Sequence, residues 1–271
     1  MVVEGFFYSS PKSARDLFNQ NWLWTQQIIE DSKKEITSDT LYVGCSVAAQ
    51  IFPYNRGNQL TSTANTYAIG NYFLIKNAVE RNPHLRTVIL LSVPDMLGLK
   101  IANEKTYSYF VKPFYTFQNR GEINSSKAVQ RVLSKNPMLF LCVLNSYKVI
   151  SSDDFNYFDG ENPPLGCISE ESLEWISKIK KLCDDYRVNF ILASPPVLAS
   201  KKIISSDWRN MRKRVSNTPL CQLFEKYFRT IIYVDDSFSY DGLHWKADFI
   251  SAHRTEFVAT LKERLKSLYH N

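Results

Sequence analysis

The chain has 271 residues, 44% hydrophobic and 22% charged, with a formal net charge of +6. That length and balance can bury one full core. The longest apolar runs, residues 138–144 and 190–193, fall far short of the ~20 residues that cross a bilayer. The mild positive excess argues against a nucleic-acid partner and suits an acidic substrate or a phosphate-bearing donor.

The N-terminal stretch "MVVEGFFYSS" has no basic region and carries Glu4 within its short apolar run, so no signal peptide is expected. Five scattered cysteines, odd in number and without C-x-x-C spacing, fit reduced thiols and make the cytoplasm the expected location. No His/Cys/Asp grouping has ligand spacing, so no metal is expected.

Along the chain, Ser10 and Pro11 read as an N-cap and first helical residue, with Leu17, Trp24 and Ile28 on one face of the helix that follows. "TLYVG", Thr40–Gly44, is the first strand, and 67–81 is a helix stopped by "NPHL". Residues 87–93 form the second strand. Ser169 caps a helix with Glu170 and Glu171 in its first turn and Leu173, Ile176 and Cys183 on one face. Strands three and four are expected at 188–194 and 230–234. A closing helix carries Phe257, Leu261, Leu265 and Leu268.

The strands are short, rich in β-branched residues and apolar on both faces, as buried parallel strands are. Alternating with helices, they predict a three-layer α/β/α fold with a doubly wound, mostly parallel sheet. No repeat, low-complexity tract or linker divides the chain, so residues 1–271 are expected to form a single domain. Residues 97–165 break the pattern and are expected to be an elaboration or lid. Its aromatic stretch 107–117 is the best cover for a site, although ordinary packing explains aromatics equally well.

In such sheets ligands sit at the carboxyl ends of the strands. "LYVGCSVAAQIF" places Gly44, Cys45 and Ser46 at the end of the first strand. A serine nucleophile needs a base within hydrogen-bond reach, usually a histidine oriented by a carboxylate. Of four histidines, His84 lies in a loop, His270 at the terminus and His253 in the last helix. His244, in "SYDGLHWKADF", follows the fourth strand, with Asp241 three residues earlier and Gly242 allowing a tight turn. Asp-x-x-His alone is also a common turn.

Taken together, Gly-x-Ser after the first strand and Asp-x-x-His before the last helix resemble the SGNH (GDSL-like) hydrolase superfamily. The stretch "QLTSTANTYAIGNYFLIKNAVERNPHLRTVILLSVP" resembles its polysaccharide-modifying O-acetyltransferase/esterase branch. The resemblance implies a flavodoxin-like fold, Ser46 as nucleophile, His244 as general base and acid, and Asp241 as orienting carboxylate. Cys45 stands where that superfamily has Asp, and "LLSVPDML" replaces its Gly-x-Asn-Asp block. Oxyanion donors must then come from elsewhere. The Ser46 N–H is one candidate. Asn65, in the polar loop "STANTY", is another, with Gly70 or Asn71 behind it.

Serine-dependent acyl transfer on a carbohydrate is the expected function, with O-acetylation of a bacterial surface polysaccharide or glycan ahead of the same triad acting as an acetylesterase. A non-catalytic glycan-binding or assembly protein on a degenerate SGNH fold is the alternative that the missing block supports. A flavodoxin-like nucleotide binder or receiver lacks its Gly-rich loop and acidic cluster. No bound cofactor is expected. Acetyl-CoA is the candidate donor, and the basic segment 201–214, with Arg209, Arg212 and Arg214, is the candidate contact for its phosphates or an acidic glycan. A solvated helix face is the other reading of that segment.

Overall fold

The structure is a computed structural model that describes residues 20–52, 59–61, 67–101, 111–135, 168–202, 205–216 and 218–269. Its elements in chain order begin with Gln20–Ser32 (α1), Thr40–Gly44 (β1), Ser46–Ile51 (α2), Gln59–Thr61 (β2), Ala68–Arg81 (α3) and Thr87–Leu91 (β3). Pro94–Leu97 (α4), Arg120–Ser125 (α5), Lys127–Lys135 (α6), Glu170–Asp185 (α7) and Asn189–Ala193 (β4) follow. Val197–Leu198 (β5), Ser205–Val215 (α8), Cys221–Thr230 (α9), Tyr233–Val234 (β6) and Ala247–Tyr269 (α10) complete them.

Among the described residues the main sheet has four strands in the order β2-β1-β3-β4, every neighbouring pair parallel. The fold is α/β, with helices flanking this sheet on both faces. Helix α3 packs against α1 and α7 on one side, and α10 packs against α2 and α9 on the other. Leu41, Val43, Val88, Leu91 and Leu192 are at most 1% exposed, each worth about 1.5–3 kcal/mol of burial. Gly44, Leu91 and Ala193 form one row across the sheet, so three strands end together. Residues 45, 92 and 194 therefore leave the sheet along a shared edge.

Ser169 caps α7 as expected, its Oγ accepting from Ser172 N–H at 3.1 Å. Ile28, Ile176, Cys183, Phe257, Leu261 and Leu265 are buried as their helical spacing implies. Ser10, Pro11, Leu17 and the Trp24 side chain lie outside what is described.

The expectation of a fourth strand at 230–234 is corrected. Thr230 ends α9, where its Oγ1 donates to Tyr227 O at 2.6 Å and accepts from Ser194 N–H at 2.9 Å. Only Tyr233 and Val234 are extended, and they pair with β5 in a separate two-stranded sheet. Ile231 is 4% exposed, so the apolar pattern there serves packing at a helix exit rather than a ladder. The remaining strand of the main sheet is β2, whose three residues carry too little pattern to be read.

In the middle region, the described residues 111–135 lie against α3 and α7. Phe114 is 1% exposed and seats its ring where a side chain on Gly70 would stand, 2.6 Å from a Cβ built there. Tyr72 donates to Glu122, which also pairs with Lys76 at 2.7 Å. Ala128 N–H donates to Glu174 at 3.0 Å. Phe114 is thus a core residue, while Phe117 is 79% exposed with the Arg120 guanidinium 4.4 Å from its ring centre. Residues 102–110 and 136–165 of the expected lid lie outside the described residues.

Candidate active site

The site begins with the glycine that ends β1. A Cβ on Gly44 would stand 2.5 Å from Leu91 O and 2.8 Å from the Ala48 methyl. No side chain fits where α2 folds back over β3. That close approach lets the chain turn from strand to helix within one residue, Cys45, whose N–H donates to Leu91 O at 3.3 Å. Ser46 is the first residue of α2 and is 5% exposed.

The second half of the site is a short loop before α10. Ser239 and Trp245 form an antiparallel bridge, and the residues between them turn tightly. Gly242 sits at φ +79°, which L side chains rarely adopt. Asp241 Oδ1 accepts from the N–H groups of Leu243 at 3.0 Å and His244 at 2.7 Å. This is the turn for which Asx residues are suited. Ser239 Oγ braces it, donating to His244 O at 2.8 Å and accepting from Gly242 N–H at 3.0 Å.

The two halves meet. His244 Nε2 lies 2.7 Å from Ser46 Oγ, and its Nδ1 lies 2.6 Å from Asp241 Oδ2. A carboxylate can only accept, so Nδ1 carries the proton and Nε2 is left to accept from the serine hydroxyl. Burial pushes the Asp241 carboxyl up, but hydrogen bonds from the His244 ring and from the His244 and Leu243 N–H groups outweigh it and hold its pKa below the ordinary value. Asp241 therefore remains an anion that fixes the imidazole tautomer. The Tyr240 ring stacks on that imidazole, centroids 5.8 Å apart and planes 15° from parallel, while staying 65% exposed.

The structure thus brings Ser46, Asp241 and His244 together. Cys45 is 1% exposed, and burial raises its thiol pKa against the pull of the Ala48 and Val47 amides. It packs beneath the turn. Gly70, the third residue of α3, owes its missing side chain to Phe114. Asn71 is buried with its Oδ1 unpartnered, and Asn65 lies outside the described residues. Of the basic segment, Arg212 pairs with Glu225 at 2.9 Å and Arg214 donates to Ile168 O at 2.7 Å. Lys201 pairs with Asp95 at 2.5 Å, and Arg209 is exposed on α8. A cavity of about 410 Å³ lies elsewhere, lined by Thr40, Tyr42, Phe52 and Lys262 among others, and contains none of the three site residues.

Two participants escaped the sequence reading. Tyr240 is an exposed aromatic next to Asp-Gly, a cue that was available. Gln50 bonds the residue after His244. Its one signal is that it lies a helical turn beyond Ser46.

Among the described residues no group of three or more His, Cys, Asp or Glu could hold a metal, and no helix is long and apolar enough to cross a membrane. No family model matches the chain, and no curated protein or solved structure matches it either.

Proposed function

We propose that this protein is a serine-dependent acyltransferase that O-acetylates a carbohydrate, a bacterial surface polysaccharide or related glycan, with acetyl-CoA as donor. The observation that carries the reading is the unbroken chain of hydrogen bonds from Asp241 through His244 to Ser46. As Ser46 Oγ attacks the acyl carbonyl, its proton passes to His244 Nε2 and the carbonyl electron pair moves onto oxygen. Collapse of that intermediate breaks the bond to the leaving group, which takes the proton back from His244. A sugar hydroxyl then attacks the acyl-serine by the same proton path, and Ser46 is released. The Ser46 N–H is the candidate donor to the oxyanion, a contact worth ~10²–10³ in rate.

The carbohydrate acceptor rests on the resemblance to the polysaccharide-modifying branch, and the open face of Tyr240 beside the imidazole offers a sugar ring a surface to stack on. The basic segment is weaker support, because Arg212 and Arg214 already bond the protein's own groups. Water in place of the sugar hydroxyl would make the same triad an esterase.

The test is a fluorophosphonate probe followed by mass spectrometry of the adduct. Labelling is expected on Ser46, and Ser46→Ala should lose both adduct and ester turnover while keeping its fold. Product analysis with acetyl-CoA and a glycan then separates acetylated sugar from free acetate. No adduct on folded wild-type protein would sink the enzyme reading and favour a binding or assembly role.

A further inference from the structure

We infer that Gln50 is a positioning residue that sets the distance between the candidate base and the candidate nucleophile. The inference rests on the triad reading above. Gln50 Nε2 donates to Trp245 O at 2.9 Å, and Gln50 Oε1 accepts from Trp245 N–H at 3.1 Å. One side-chain amide therefore satisfies both backbone groups of the residue that follows His244. Ser46 and Gln50 are four apart on α2, one helical turn, and so share a face. His244 and Trp245 are consecutive. Two positions on one helix face thus engage two adjacent loop residues across 198 and 195 positions of chain.

The clasp is rigid at both ends. Trp245 is 1% exposed and packs its indole against Phe249, centroids 5.9 Å apart. The Gln50 carbonyl accepts from Arg254 Nε of α10 at 3.0 Å. The loop's own bonds shape the Asp241–His244 turn but do not hold it against α2. Among the hydrogen bonds described above, those of Gln50 and the His244–Ser46 bond itself cross that gap. Without the clasp, the His244–Ser46 bond is the one bond described above that still joins the Asp241–Trp245 loop to α2, and a displacement of about 1 Å at a reacting pair costs ~10²-fold in rate.

The experiment compares Gln50→Met, similar in length and without hydrogen-bonding groups, with wild type and with Asn82→Ala. Asn82 makes a comparable amide bridge at the far end of the strands, to Ile36 N–H and Lys34 O. Three quantities are read: kcat and KM on p-nitrophenyl acetate, the second-order rate of fluorophosphonate labelling, and hydrogen exchange of the Trp245 amide. Gln50→Met should lower kcat and the labelling rate together by ~30- to 100-fold with KM within about twofold. Exchange at Trp245 should quicken at least about tenfold. Gln50→Glu keeps an acceptor for the Trp245 N–H but sets a second acceptor against Trp245 O, so it should also lower kcat and the labelling rate, which provides the same test if the methionine variant folds poorly. Asn82→Ala should lose stability and none of the kcat. Wild-type kcat and labelling in folded Gln50→Met would overturn the inference and leave the triad standing. Failure of wild-type protein to label at Ser46 would overturn both.

Discussion

At one end of the strands, Asn82 accepts from Ile36 N–H at 2.8 Å and donates to Lys34 O at 3.3 Å, and the ring of His84 donates to Ile36 O at 2.5 Å. At the other end, Gln50 brackets Trp245 and the ring of His244 lies between Asp241 and Ser46. Each end has an amide bridging two backbone groups and a histidine bonded by a ring nitrogen. What separates them is the partner of the histidine. A backbone carbonyl only accepts, so His84 Nε2 donates and has nothing to do but brace a loop. His244 has an anion on one nitrogen and a hydroxyl on the other, and that pairing can move a proton. The chemistry proposed for the carboxyl edge rests on what the histidine faces, not on having a histidine or a tight turn.

The sharpest way to break this contrast is to remove the anion. Asp241→Asn can still accept from the Leu243 and His244 amides, so the turn should survive, but the imidazole is no longer held as the Nδ1–H tautomer. We expect kcat/KM on a small ester to fall ~10⁴-fold, the loss that follows when a triad's orienting carboxylate becomes an amide. His84→Ala should leave kcat/KM unchanged. Equal losses in the two variants would erase the distinction between the ends.

The next effect is on stability. Asn82→Ala strands a buried Ile36 N–H, at a cost of about 1–3 kcal/mol. For a chain of this size each kcal/mol corresponds to about 2–4 °C in Tm. A calorimetric Tm within a degree of wild type would mean the far end is not held as described.

The acid limb gives a smaller signal, with a definite sign. The folded-state pKa of Asp241 lies below its ordinary value. Its bonds to the His244 turn therefore contribute stability that is present above the ordinary carboxylate range, ~3.9, and is lost as pH falls through the lower folded value. The side chain is 38% exposed, so the contribution is modest. Wild type should be more stable than Asp241→Asn at pH 6, and the gap should close as pH falls through the lowered folded-state value. A gap that widens on acidification would reverse the assignment of charge.

Legibility in the sequence followed the same division. Strands β1, β3 and β4 were readable because four or five β-branched or apolar residues in a row leave little alternative. Ser46, Asp241 and His244 were readable because the chain has only four histidines and the order of elements brings Gly-x-Ser and Asp-x-x-His to one edge. Gln50 was not, because an amide in a helix looks the same whether it faces water or a backbone 195 residues away. Strand β2 was hidden by its length, and 230–234 misled because Ile231 is apolar for packing at the end of α9. Arg212 and Arg214 read as a free basic patch, since their acceptors, Glu225 and Ile168 O, are set by tertiary contacts.

The smallest expected effect concerns Cys45, which neighbours the candidate nucleophile and is chemically the more reactive type. Consecutive residues at a strand-to-helix turn point in different directions, and here Ser46 meets the base while Cys45 goes beneath. Burial raises the Cys45 thiol, so the thiolate that would react is scarce at neutral pH. Cys183 is pushed up to about 12, again by burial, and Cys221 is the more accessible of the three described cysteines. Iodoacetamide on native protein should therefore modify Cys221 well before Cys45 or Cys183, as peptide mapping would read. Cys45→Ala removes one buried sulfur and no proton-transfer group, and should keep at least about a tenth of wild-type kcat/KM, a loss of at most ~1.4 kcal/mol in the transition state. If Cys45→Ala abolishes turnover in a folded protein and Ser46→Ala does not, the nucleophile is the thiol, and the turn has been read with the wrong residue facing His244.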